Sequence, residues 1–165
     1  METLLRKGAD VHAATTSAPE GWTALHFAAF EACGEGVAML LAAGARAGTR
    51  TADADMRTPL HLACTSDAAA EKVLACVTSL LDGSWGEVNV AEGGGEGAMP
   101  LHLAASTGET ELVALLLARG ADATARRADG KTAAETVEAG LVRDLLLAAA
   151  KKKAPIGKAP AGAKK

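Results

Sequence analysis

Apolar positions in this chain fall in short blocks that keep one order. A polar residue is followed by a tight apolar run with a histidine inside it, a pair of small residues and a polar turn. A longer apolar stripe ending near glycine completes the block. The tetrads Thr23-Ala24-Leu25-His26, Thr58-Pro59-Leu60-His61 and Met99-Pro100-Leu101-His102 open successive blocks, and Thr132-Ala133-Ala134-Glu135 is a weaker copy. Their first residues lie 35, 41 and 33 positions apart. The small pairs are Ala28-Ala29, Ala63-Cys64 and Ala104-Ala105, and the stripes close in Leu40–Ala45 and Leu115–Asp122, with a related ending in Leu4–Val11. Leu112, Val113, Leu115 and Leu116 put an apolar stripe on one helical face. Each block therefore predicts a helix, a turn, an antiparallel helix and a projecting loop.

Local chemistry agrees with that unit. Thr before the apolar run is a good helix cap, and Pro at the first helical position gives up an N–H that has no partner there. Met99 cannot cap through oxygen, so its helix is expected to keep only the proline device. Paired alanines let helices approach closely. Gly8, Gly44 and Gly120 stand where a helix must end in the left-handed region. The second block carries about five extra residues between Cys64 and Leu80, which predicts longer helices or a longer inner turn, and Trp85-Gly86-Glu87-Val88-Asn89 replaces the usual Gly-Ala-Asp ending.

A period near 33 residues with the T-P-L-H-x-A signature resembles the ankyrin repeat family. The resemblance covers roughly residues 1–150, and 99–125 follows the pattern without a gap, including Gly108, Glu111 and Gly120-Ala121-Asp122. It implies an all-α solenoid of helix-turn-helix units with projecting β-turn loops. The expected units are a partial repeat at 1–14, repeats at about 19–50, 53–90 and 94–125, and a closing repeat at about 127–150. A single unit cannot bury both faces, so stability is expected from stacking. The N-terminal edge, read as half a repeat, is expected either to contact another chain or to mark a fragment.

Composition fits. Ala and Leu number 40 and 20, against two Phe, two Trp and no Tyr, which argues against a sheet-based core. Three cysteines without a C-x-x-C pair argue against a disulfide framework, and no apolar run approaches the ~18 residues of a membrane span. A cytoplasmic protein is expected, with the nucleus as the alternative. The net charge of -3 is the sum of two unlike parts. Residues 1–150 hold 11 Lys+Arg against 20 Asp+Glu, or -9, while 151–165 hold six Lys and no acid. That basic, Pro- and Gly-containing tail is expected to be disordered. It supports a runner-up function, salt-dependent binding of nucleic acid or an anionic surface with the repeats as scaffold.

Chemistry at single residues points away from catalysis. His26, His61 and His102 recur one repeat apart, a ladder and not a cluster, and the resemblance implies that they bond backbone and the neighbouring repeat. His12 is expected in solvent. Cys33, Cys64 and Cys76 show no activating base and no zinc spacing, so packing is their expected role. Gly93-Gly94-Gly95-Glu96-Gly97 lacks the Lys-Ser/Thr of a phosphate loop and is expected to be a flexible tip. No enzyme, cofactor or metal is expected.

The family resemblance implies partner binding in the concave groove made by loop fingers and the open side of the first helices. On this sequence the groove positions of the first full repeat are Pro19, Glu20, Trp22, Phe30 and Glu31. Those of the second are Ala54, Asp55, Arg57, Thr65 and Ser66. The third offers Gly95, Glu96, Ala98, Ser106 and Thr107, and the closing repeat Ala128, Asp129 and Lys131. Trp22 and Phe30, two of only four rings, are the expected hot spot. Acids outnumber bases in that set, so a basic or polar protein partner with one apolar anchor is expected. Asn89, with Leu81, Glu87 and Val88, resembles the context in which ankyrin loops are hydroxylated by 2-oxoglutarate-dependent asparaginyl hydroxylases. The alternative is that Asn89 stabilises its loop through its own backbone bonds.

Overall fold

A computed structural model describes the molecule at residues 8–82 and 88–153, and in those residues four fingers alternate with three helix pairs and a closing turn-helix unit. Residues 1–7 of the expected opening half-repeat, the Trp85-Gly86-Glu87 departure and residues 154–165 of the tail lie outside the described residues, while Lys151–Lys153, expected to be disordered, are helical. Seven α helices are described: α1 (Ala24–Phe30), α2 (Gly34–Ala42), α3 (Pro59–Cys64), α4 (Ala70–Asp82), α5 (Pro100–Thr107), α6 (Thr110–Ala118) and α7 (Leu141–Lys153). A 3-10 turn, Ala133–Glu135, replaces the first helix of the closing unit. The extra residues of the second unit go to both expected places. The turn at 65–69 is long, and α4 has 13 residues where α2 and α6 have 9.

The helices form two rows. Helices α1, α3, α5 and the 3-10 turn make the inner row, each packed on the next, while α2, α4, α6 and α7 make the outer row in the same way. Each inner element also packs on its own outer partner. Leu25, Leu60 and Leu101 from the inner row meet Val37, Leu40, Val77, Leu80, Val113, Leu116 and Leu146 from the outer row. Ala29, Ala63 and Ala104 are fully buried among them. Close approach of small residues gives a dense core without rings, since packing density sets the gain, not side-chain size.

The histidines cap the helices, which revises the part assigned to threonine and proline alone. His26 Nδ1 accepts the Thr23 backbone N–H at 3.0 Å and faces the Thr23 hydroxyl at 2.9 Å. His61 does the same for Thr58 at 3.2 and 2.7 Å. Met99 is a correction: its N–H also reaches His102 Nδ1, at 3.3 Å, so its helix does not rely on proline alone. In the closing unit Glu135 takes the place of histidine and accepts the Thr132 N–H at 2.8 Å. The tetrad is thus a capping box whose third helical residue satisfies the cap N–H, with imidazole standing in for carboxylate. Because Nδ1 accepts, Nε2 carries the proton, and in His26 it donates to the Thr49 carbonyl of the next finger at 3.0 Å.

Each finger is a small hairpin. Thr15 N–H donates to Trp22 O, Thr51 to Arg57 O, Glu92 to Ala98 O and Arg127 to Lys131 O, all at 2.9 Å. Neighbouring fingers are then joined side to side. Ala52 N–H donates to Glu20 O at 3.1 Å, Gly93 N–H to Asp55 O at 2.7 Å and Ala128 N–H to Glu96 O at 2.9 Å. The glycine run expected to be a free tip therefore has a packing role. A Cβ on Gly93 would lie 2.8 Å from Met56 Cβ and closer still to its Cε. Gly93→Ala is expected to lower stability by about 1–3 kcal/mol, the usual cost of overpacking, read as a lower melting temperature.

Candidate functional site

The groove positions read off the sequence, on the fingers and the inner helices, fall into three groups in the structure. At the first described unit, Trp22 sits at the base of its finger and turns along α1. Its ring centroid lies 5.0 Å from that of Phe27 and 5.6 Å from that of Phe30, with the Phe30 ring edge-on. Phe27 and Phe30 are 41% and 43% exposed, although large apolar side chains normally seek burial. Phe27 is absent from the groove positions read off the sequence, because its repeat equivalents, Leu62 and Leu103, look like core; Leu62 is in fact 3% exposed.

The second group is a chain of charges along the fingers. Arg57 lies between Asp55 at 3.3 Å and the buried Glu92 at 3.0 Å. Arg127 lies between Glu96 at 2.9 Å and Asp129 at 2.7 Å, and Lys131 stands 3.9 Å from Asp129. Arg50 ties the same row together, donating to the Met56 and Ala91 carbonyls at 2.9 Å each. The Arg127 side-chain hydrogen bond, with the Lys131 amide, holds the Asp129 carboxyl below its usual value. Among the expected groove acids, Asp55, Glu96 and Asp129 thus have internal partners. Glu20 and Glu31 have no ion pair among the described residues, so the acidic surplus of the face is concentrated around Trp22, Phe27 and Phe30. Glu92 and Arg127 escape a reading by repeat register because their partners lie on neighbouring fingers.

The third group turns elsewhere. Thr65, Ser66 and Thr107 line a cleft of about 320 Å³ at the turn end of the helices, with Asp67, Glu109 and Glu111. Thr65 and Thr107 hydroxyls donate to carbonyls of their own helices, Leu62 and Ala104. Ser106 remains on the finger side, in a cleft of about 340 Å³ with Glu96, His102, Arg127, Lys131 and Glu135.

Asn89 bridges two repeats. Its Nδ2 donates to the Gly120 carbonyl at 3.0 Å and its Oδ1 accepts the Asp122 N–H at 2.8 Å. These bonds run to the following unit and not to its own backbone, the alternative read from the sequence. They also account for Asn where the first and third endings carry Asp10 and Asp122, since a carboxylate could not donate to Gly120. Asn89→Ala is expected to cost about 1–2 kcal/mol, measured as a shift in the urea midpoint.

The titratable interior is inert. Burial pushes the Cys64 thiol up strongly, and burial together with the neighbouring Cys33 sulfur pushes Cys76 up to about 12, so neither ionises near neutral pH. Burial drives the three ladder histidines down, His61 to about 4. Among the described residues no group of three or more His, Cys, Asp or Glu side chains could hold a metal ion, and no helix is long and apolar enough to cross a membrane.

Comparison with known proteins agrees with this architecture. A family model for ankyrin repeats in three copies matches residues 1–75, and one for ankyrin repeats in many copies matches residues 87–137. The chain is 42% identical over 80 residues to the human (Homo sapiens) "Ankyrin repeat and SOCS box protein 9", covering 48% of this chain and 24% of that protein. It is 37% identical over 101 residues to the mouse (Mus musculus) "B-cell lymphoma 3 protein homolog", covering 61% of this chain and 21% of that protein. The chain thus spans about a quarter or less of the curated relatives it matches.

Proposed function

This chain belongs to the ankyrin repeat family, whose repeats generally serve protein–protein interaction, and from that premise we propose that it holds a protein partner in its concave groove without catalysing a reaction. The cluster of the half-buried Trp22 with the exposed Phe27 and Phe30 carries the reading. Three touching rings held on a stiff helix and finger lose little entropy on binding and offer the kind of area that dominates interface energetics. Stacked repeats supply stiffness, because every finger is bonded to the next through Ala52, Gly93 and Ala128. The negative charge of residues 1–150 favours a basic or polar partner and predicts binding that weakens with added salt.

Capture of partners by the full chain, with the Trp22→Ala/Phe30→Ala double variant alongside, tests this reading. Truncating two anchors at an interface centre is expected to weaken binding by about a hundredfold or more, with helix content unchanged. Equal recovery by a folded double variant contradicts it. The runner-up, nucleic-acid or anionic-surface binding by the six lysines of 151–165, is separated by a gel shift of the full chain against one ending at Ala150. A shift lost with the tail and retained by the double variant favours it.

A further inference from the structure

The concave face is not uniform: Asp55, Glu92, Glu96 and Asp129 each have an arginine beside them, but Asp53, Glu20 and Glu31 do not. Asp53 is the sharpest case. Its Oδ1 collects the Thr51 hydroxyl at 2.7 Å, the Asp55 amide at 3.2 Å and the Met56 amide at 3.1 Å. The same carboxylate lies near the Trp22 indole, whose buried Nε1 makes no hydrogen bond. No cation pairs with it among the described residues, whereas Asp55, Glu92, Glu96 and Asp129 all have one. Glu20, two residues before Trp22, and Glu31, next to Phe30 in the chain, also have no ion pair among the described residues.

A partner that covers Trp22 also removes water from Asp53. An apolar side chain would leave a buried carboxylate without a counter-charge, which is costly. A group that both lies on rings and neutralises a carboxylate removes that cost. We infer that the shelf of Trp22, Phe27 and Phe30 is a subsite for an arginine side chain of the protein partner, with its guanidinium on the rings and its fork turned to Asp53. Lysine fits less well, because its ammonium is a strongly hydrated point charge and cannot present a flat face to the rings. Phosphate backbones are disfavoured by the three uncompensated acids. This inference rests on the groove reading and deepens it.

Random dodecapeptides displayed on phage and selected on the full chain, then screened against Trp22→Ala/Phe30→Ala, provide the test. Peptides lost with the double variant are expected to share an arginine. Replacing it with citrulline, neutral and of the same shape, is expected to weaken binding about tenfold or more, as for a central anchor. Asp53→Asn keeps an acceptor for Thr51, Asp55 and Met56 while removing the charge. It is expected to weaken the arginine peptide about tenfold and leave the citrulline peptide unchanged, a coupling read by the double-mutant cycle. Shelf-dependent peptides without arginine, or equal loss for both peptides with Asp53→Asn, overturn the arginine subsite and leave the groove standing. The citrulline comparison decides alone if Asp53→Asn fails to fold. If no selected peptide distinguishes the double variant, the groove reading falls as well. A fluorescent single-stranded oligonucleotide bound by the full chain and lost with the double variant would assign the shelf to stacked bases and contradict the inference.

Discussion

Lowering the pH from 7 to 4 removes about 3 kcal/mol of unfolding free energy through His61 alone, the usual 1.36 kcal/mol per pKa unit over the interval between 6.5 and about 4. Burial is the main cause, assisted by the positive charges of Arg50 and Arg57 and opposed by backbone groups of Val90 and Ala98. The sign follows from proton counts. Above pH 6.5 the ring is neutral in both the folded and the unfolded chain, and His61 contributes no pH dependence. Between 6.5 and about 4 the unfolded chain takes up a proton that the folded chain refuses, so stability falls with pH. Below 4 both states are protonated and the loss levels off. His26 and His102, also lowered by burial, add losses of the same sign. Protonated Nδ1 can no longer accept the Thr23, Thr58 or Met99 N–H, so the helix caps fail as the charge enters. Urea titrations at pH 7.5, 5.5 and 4.5 check this, and midpoints that stay level contradict it. His61→Gln, which keeps a capping-box residue without a titrating ring, is expected to give a shallower pH dependence.

Gly21→Ala is expected to destabilise the chain by about 2–4 kcal/mol, combining a strained left-handed residue with overpacking. Gly21 has φ +74°, and an added Cβ would lie 2.3 Å from the Ala52 backbone nitrogen and 2.5 Å from its Cβ. That nitrogen donates to the Glu20 carbonyl, the joint between the first two described fingers. Because the obstacle is backbone, relief requires the fingers to part, which also moves Trp22 off Phe27 and Phe30. A thermal melt read alongside Trp fluorescence should show both losses. Wild-type stability in Gly21→Ala would contradict the side-by-side bonding of the fingers.

The repeat unit was legible in the sequence because it depends on short-range chemistry. The apolar stripes, the proline at the first helical position and the glycines past the stripes each act over a few residues. The capping histidine is just as local, yet imidazole is not the carboxylate that a capping box usually signals; the Glu135 copy carried the clue. Trp22 and Phe30 stood out as rare rings at positions the core does not claim. Phe27 did not, because exposure at a register where Leu62 is buried depends on the indole arriving from the finger. Pairing of Arg57 with Glu92 and of Arg127 with Glu96 depends on the lateral register of fingers 35 and 31 residues apart in sequence. Counting acids against bases along the chain therefore located the surplus too broadly. The structure narrows it to Glu20, Glu31 and Asp53 around the rings.

Amide hydrogen exchange on the full chain, with and without a captured partner, tests groove recognition most directly. Partner binding is predicted to slow exchange in the first two described fingers and along α1, about residues 15–31 and 49–57, and to leave α2, α4 and α6 unchanged. Protection confined to the outer helices, or to the lysine-rich segment beyond Lys153, would contradict it.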